Sequence, residues 1–570
     1  MIGTRPLAVL SLLTLSSLCA AADIRVTRTD DPLPNGCTAL DCSLREAVLA
    51  ANIKPDVDRI LLDRKTYNLT RTDSTPATYE ADSGPLWFTH SANIVGAGRD
   101  LTRVRWNVLY KFYNPVIKVN WDAPVAVALK LSQLTLSNGR GDWGGCVDMQ
   151  RGGSPMHSLD LNQVVVEACS AVAGGAMKLD RTDLVLTDSI LRNNSASASG
   201  GALAFYGAVF TTSVVQSSGS EIASNHAALD GGAISIWSNP VDLRYTGVAW
   251  SDDGTSTISG NVADRNGGAI AVSSASKLVL TLSSSAAAEA LFELADNQAG
   301  ISGGAIWMGS GTSSVSGWIS VIEGVRMLRN RAAEGGAVTT QSGPLQLRDS
   351  VLADNVASSG NGGAIAIYGS ASFAVELERL GLNGNSALAG AGGAIHADCR
   401  PFVASNLSFA NNQALGSRGQ AIDVLGSVTL RHVSMSANAG VGFSTAALRK
   451  GYSTLCAGAT LRYANSLIND RCSSTVGGQL ISEGGNQLGV NAALCPSLPT
   501  MDQRQSNLGA FALNLAAFGG AFDVLGWPSD QIARPQRNFG LNAYCTAADV
   551  RGFARTDGRC DSGAFEQLEN

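Results

Sequence analysis

The feature that most limits what this chain can fold into is a phrase written nine times: a doubled glycine, then Ala or Cys, then an apolar residue. The copies begin at Gly144, Gly174, Gly200, Gly231, Gly267, Gly303, Gly335, Gly362 and Gly392. A degenerate copy, with Gln420 in the second position, follows at Gly419. Successive copies lie 26 to 36 residues apart, a spacing too irregular and too glycine-rich for stacked helical hairpins.

Upstream of eight sites an apolar residue is followed three positions later by asparagine. These asparagines are Asn194, Asn225, Asn261, Asn297, Asn330, Asn355, Asn385 and Asn412. After the glycines the pattern alternates, as in "GGAISIW" with Ile234 and Ile236 and "GGAIAIY" with Ile365 and Ile367. Alternation predicts a strand with one buried face. No single unit can cover that face, so the units must stack, with strands pairing from coil to coil at about 4.8 Å. The expected fold is all-β, a right-handed parallel β-helix, its hand set by the crossover preference.

The glycines fit a turn that needs positive φ and close approach of the next coil's backbone. Asparagine tolerates the left-handed conformation and, repeated at one level, forms a ladder of side-chain amides. Residues between the asparagine and the glycines, 262–266 in one copy, read as a bridging loop. Domain boundaries follow as 1–22 signal peptide, 23–63 N-terminal cap, 64–440 β-helix repeats, and 441–570 last coils with a C-terminal cap.

The first 22 residues carry an early arginine, an apolar run from Leu7 to Leu18 and small residues at Ala21 and Ala22, as a cleaved secretory signal does. Leu18 stands where a lipidation site at Cys19 would need a small residue. No later stretch is apolar for long enough to predict a membrane-spanning helix. The even number of cysteines left after cleavage suggests disulfides in an exported chain.

Cys37 with Cys42, Cys472 with Cys495, and Cys545 with Cys560 are the expected bridges. Cys146 with Cys169 and Cys399 with Cys456 are the remaining pairings, and spacing does not fix this connectivity. No further His or Cys stands near Cys37 and Cys42, so no metal site and no cofactor is expected. Between these cysteines and the repeats, Ser43 and Glu46 form a capping box, and Leu44, Ala47, Val48 and Ala51 a helical stripe. A short amphipathic helix here would cover the open end of the stack.

"CSLREAVLAAN" resembles the CSLREA-type N-terminal region of exported bacterial proteins. The apolar-x-x-Asn and "GGA[ILV]" units resemble polymorphic outer-membrane protein repeats, a right-handed β-helix family, and "DVRGFARTDGRCDSGAFE" resembles the end of the choice-of-anchor Q domain. The resemblance implies export and a secreted or cell-surface life, often adhesive, and brings no catalytic residues. The chain departs from relatives that end in an autotransporter barrel, since "FEQLEN" lacks a terminal aromatic on an alternating strand.

A net charge of −6 gives no support to nucleic-acid binding. Expected partners are an extracellular glycan or a protein of a host or neighbouring surface. Counted from the glycines, the outward fifth position reads Asp148, Lys178, Ala204, Ser235, Ala271, Trp307, Thr339, Ala366, His396 and Asp423. It holds no acidic cluster of the kind a polysaccharide lyase or glycoside hydrolase needs, which makes an enzyme on this fold the alternative reading.

Asp148 over Lys178, and His396 over Asp423, read as surface pairs between neighbouring coils. A catalytic group of His396, Asp398 and Asp423 is the sharper alternative. Tyr206, Trp237 and Tyr368 share the outward seventh position and Trp307 lies two residues earlier in its strand; together they suggest a platform for sugar rings. The expected function is a non-enzymatic scaffold for adhesion or binding.

Overall fold

The computed structural model describes the chain from Asp23 to Ala564 apart from stretches between strands, the longer of which are 73–81, 246–255, 283–291, 310–318, 446–458, 505–513 and 527–538. The expected signal at 1–22 lies outside the described residues. Among the described residues, strands pair in parallel from coil to coil in sheets of 26, 14 and 10 strands, and the architecture is a right-handed parallel β-helix. A separate antiparallel hairpin joins Asn514–Ala516 to Val524–Gly526. Among the described residues no helix is long and apolar enough to cross a membrane.

A coil of the repeat region contributes to all three sheets. Around Ile258, Thr257–Ser259 lies in the largest sheet, Val262–Ala263 in the smallest and Ile270–Ser273 in the 14-stranded one. The segment 262–266 is therefore not simply a loop. Val262 and Ala263 pair with His226 and Ala227 of one neighbouring coil and Gln298 and Ala299 of the other. Two residues carry no periodicity, so alternation could not reveal this strand. Inside, like side chains stack on like: Ile234, Ile270, Ile306 and Val338 follow in register, all buried.

The asparagines form a continuous buried ladder. Asn261 Oδ1 accepts the backbone N–H and the side-chain N–H of Asn225, both at 3.0 Å. Its own Nδ2 donates to Asn297 Oδ1 at 3.0 Å and to the Ile222 carbonyl at 2.9 Å. Each amide thus satisfies backbone groups that the turn would otherwise strand in the interior. The ladder runs from Asn194 to Asn412 and continues to Asn438, which donates to Asp470.

The left-handed residue of this turn, however, is the one before the ladder asparagine. Asn193, Ser224, Gly260, Asp296, Arg329, Asp354, Gly384 and Asn411 have φ between 53° and 66°. The two roles expected of one asparagine are divided between neighbours: the first residue bends the backbone, and the next sends its amide inward.

The doubled glycines divide their labour too. Gly267 takes φ +65°, which an L side chain adopts only with strain. At Gly268 the obstacle is the neighbouring coil, since a Cβ there would stand 2.2 Å from the Gly304 carbonyl oxygen. Where the run ends, Gln420 replaces the second glycine. Its Oε1 accepts the Ala414 N–H at 2.5 Å and its Nε2 donates to the Ala414 carbonyl at 2.9 Å. Ala414 belongs to the terminal strand of the 10-stranded sheet, so a side-chain amide takes the place of the next strand and closes that edge.

Segments near both termini pack against the stack. The first strand, Asp23–Arg25, precedes the helix and pairs with Asp58–Leu61, so the stack begins within the N-terminal segment. The helix Leu44–Ile53 buries Leu44, Ala47, Val48 and Ala51. Its capping box is formed: Ser43 N–H donates to Glu46 Oε2 at 2.7 Å and Glu46 N–H to Ser43 Oγ at 3.3 Å. At the other end, the Ala564 N–H donates to Ser434 Oγ and Ser562 Oγ donates to the Gly485 carbonyl. Bridges join Cys37 to Cys42, Cys146 to Cys169, Cys472 to Cys495 and Cys545 to Cys560. Cys399 is disulfide-bonded, while Cys456, its expected partner, lies outside the described residues.

Candidate functional site

The outer face of the 14-stranded sheet carries the most chemically varied rows of side chains. Strand pairing places Trp87, Lys118, Asp148, Lys178, Ala204, Ser235, Ala271 and Trp307 in one register row, continuing through Thr339 and Ala366 to His396 and Asp423. A second row, two residues along, holds Asp180, Tyr206, Trp237 and Ser273.

The first row is outward from its sheet, as counted, yet it is not surface. Asp148, Ala204, Ala271, Thr339, Ala366, His396 and Asp423 are all at most 2% exposed. Position along a strand fixes which side of the sheet a residue takes; it does not fix whether something packs over that side. The two surface pairs expected here are therefore buried interactions.

Asp148 and Lys178 stand opposite each other, but the ion pair forms on the other side, between Lys118 Nζ and Asp148 Oδ2 at 3.6 Å. Gln150 Nε2 donates to the same oxygen at 2.5 Å. Burial pushes the Asp148 carboxyl up to about 6, against the downward pull of Lys118 and Lys178. Lys178 Nζ turns instead to aromatic faces, 5.1 Å from the centre of Trp143 and 5.7 Å from that of Tyr206. Lys118 Nζ likewise lies 5.1 Å over Trp87.

Above this charged row three rings gather. Trp143 meets Tyr206 edge to face at 5.4 Å between centroids, and Tyr206 meets Trp237 at 5.7 Å with planes 44° apart. Trp143 is 40% and Trp237 48% exposed, with Tyr206 between them partly buried. Desolvation raises the Tyr206 hydroxyl above the usual phenol range and the Asp180 carboxyl above its own. The result is an open aromatic surface with a polar group, Asp180, at the next rung beside Tyr206.

Of the four expected platform residues, the structure brings Tyr206 and Trp237 together and leaves the other two apart. Ser273 follows Trp237 in its row. Trp307 lies in the neighbouring row, its indole so close over Gly309 that a Cβ there would meet the ring at 2.2 Å. Tyr368 packs by His396, with ring centroids 5.9 Å apart. Counting forward from the glycines missed Trp143, which precedes its glycine pair and belongs to the terminal strand Arg140–Trp143 of the smallest sheet. The available signal was the "DW" of "GRGDWGGC", an aromatic where other copies carry small or polar residues.

His396 Nδ1 lies 3.0 Å from Asp423 Oδ2 with both side chains fully buried. Asp398 lies in the turn that follows; its backbone N–H donates to the Ile367 carbonyl, and its carboxylate does not bond His396. The three do not converge on an accessible point. The ligand atoms of His432, Cys545 and Cys560 lie within 4.8 Å of one another, but the two sulfurs are joined to each other.

Residues 255–273 match the Chlamydia polymorphic membrane protein repeat. That match covers a single copy of the repeat, the one that contains Ile258, Asn261 and Gly267. None of the curated proteins matches the chain.

Proposed function

We propose that this chain is an exported, surface-displayed β-helix scaffold that binds glycan on the face carrying Trp143, Tyr206 and Trp237. The observation that carries the reading is that three contiguous rings, two of them substantially exposed, stand over a buried row of charges. Aromatic faces of this kind give a hexose ring a place to stack, and neighbouring carboxylates accept its hydroxyls. Surface display is supported by the matched repeat, by the signal-like N-terminus and by the disulfides, which belong to oxidising compartments.

Adhesion through this face needs no reacting groups, which agrees with the burial of His396 and Asp423. The test is a carbohydrate array probed with the chain and with Trp237→Ala. Binding by the parent and its loss in the variant supports the reading. Array binding that is unchanged by Trp237→Ala and by Trp143→Ala removes it.

A further inference from the structure

We infer that the ligand of this face is a single, uncharged, extended β-linked glycan chain lying parallel to the helix axis; this rests on the glycan reading above. Its direction follows from register. Tyr206 and Trp237 are strand partners on consecutive coils, so the row Asp180, Tyr206, Trp237, Ser273 runs along the axis. The rings are 5.7 Å apart, close to the coil rise of about 4.8 Å. A chain must offer roughly one sugar ring per coil to use both, which an extended β-linked chain does and a coiled α-linked one does not.

Ring tilt sets the physical state of the ligand. Tyr206 and Trp237 differ by 44°, and Trp143 stands at 78° to Tyr206. Rings so inclined cannot all lie against one flat crystal face. A single chain that twists from ring to ring can follow them.

Charge sets the ligand's chemistry. The nearby ammonium groups are already committed: Lys178 is 9% exposed beneath Trp143 and Tyr206, and Lys118 is paired with Asp148. The carboxylates nearest the rings in the chain and register are Asp180 in the same row, with Arg181 next to it, and the exposed Asp142, the chain neighbour of Trp143, with Arg140 two residues before it. Carboxylates accept hydroxyl hydrogens from a neutral sugar and repel a uronate.

The experiment titrates the full mature chain with four neutral hexaoses, β-linked glucose, xylose and N-acetylglucosamine and α-linked glucose, and with the β-linked mannuronate hexaose. Sedimentation with microcrystalline cellulose runs alongside. At least one neutral β-linked hexaose is expected to bind at least tenfold more tightly than both the α-linked and the mannuronate chains. Trp237→Ala should weaken it by about tenfold, the order of one aromatic contact, while Trp237→Phe retains most of it. Asp180→Asn should narrow the gap to mannuronate. Equal or tighter binding of mannuronate or of the α-linked chain, or sedimentation with cellulose and no binding of soluble hexaoses, overturns this inference while leaving glycan binding standing. Failure to bind any carbohydrate, on the array or in solution, overturns the glycan reading itself.

Discussion

Arg45 forks onto Asp31: its Nε donates to Oδ1 at 2.7 Å and its Nη2 to Oδ2 at 2.9 Å, with both side chains at most 2% exposed. Arg45 also reaches the carbonyls of Gly84 and Pro85, and Asp31 accepts the N–H groups of Thr70 and Arg71. One ion pair thus ties the capping helix to the first coils. Deleting one partner of such a pair leaves a buried charge, which costs about 3–5 kcal/mol. Arg45→Ala is expected to lower the unfolding free energy by that amount. Arg45→Lys should recover only part, because an ammonium cannot fork. A denaturant titration placing Arg45→Ala within about 1 kcal/mol of the parent would show that the cap holds without the clamp.

The asparagine ladder predicts a cost that depends on position. In mid-ladder, Asn297 donates to Asn330 Oδ1 and the Ile258 carbonyl and accepts from Asn261. Asn297→Ala strips partners from groups that stay buried, at about 1–3 kcal/mol each. Asn297→Asp should be worse at neutral pH, since it sets a carboxylate against the Asn330 oxygen and the Ile258 carbonyl. Asn194 stands at the ladder's first rung, where its Oδ1 accepts from the Cys169 N–H, so fewer ladder partners are lost there. Unfolding midpoints should rank Asn194→Ala above Asn297→Ala, and Asn297→Asp lowest. Equal midpoints would mean that the amides are not energetically coupled to the stack.

How much of this was legible follows from what each residue depends on. The ladder and the glycine turns repeat because every coil meets the same neighbour, so the physical requirement is copied into the sequence. The strand at Val262–Ala263 is too short to have a period. The burial of Asp148 and His396 depends on what packs over the sheet, which strand counting does not see. Trp143 reaches Tyr206 from another sheet, and Asp31 meets Arg45 from outside the helix whose stripe was readable. Repetition revealed the scaffold, and single-copy contacts built the candidate site and the cap.

The division of labour within the doubled glycine can be measured. Gly267→Ala is strained by its φ of +65°, and its Cβ would stand 2.4 Å from the Ile270 carbonyl oxygen. Gly268→Ala drives a methyl to within 2.2 Å of the Gly304 oxygen on the next coil. Backbone on both sides leaves little room to yield, so each should cost at least the about 1–3 kcal/mol of an overpacked core. Gly36 is the control: its φ is +107° but nothing lies within 4 Å of a Cβ there. Gly36→Ala should therefore pay for strain alone, about 1–3 kcal/mol or less. Thermal melts showing Gly268→Ala no worse than Gly36→Ala would remove close approach as the reason for the second glycine.

Acid should loosen the C-terminal segment first. The His432 ring is buried between the last coils and that segment, with Nδ1 3.2 Å from the Gly563 carbonyl oxygen and Nε2 3.3 Å from Asn465 Nδ2. Nε2 also lies 3.1 Å from the Tyr544 carbonyl oxygen, so a neutral ring, with one N–H, donates to only one of the two carbonyls it faces. Burial, reinforced by Arg555, lowers the imidazole from 6.5 to about 3. Below pH 6.5 the released, solvated ring takes up a proton that the docked ring refuses, so docking weakens as pH falls from about 6.5 toward 3. Amide hydrogen exchange at Gly563 and Ala564 should quicken across that window, and His432→Gln, which carries no titratable proton, should flatten the dependence. Exchange at these amides that has the same pH profile in both proteins, after correction for intrinsic rates, would show that His432 does not govern the docking.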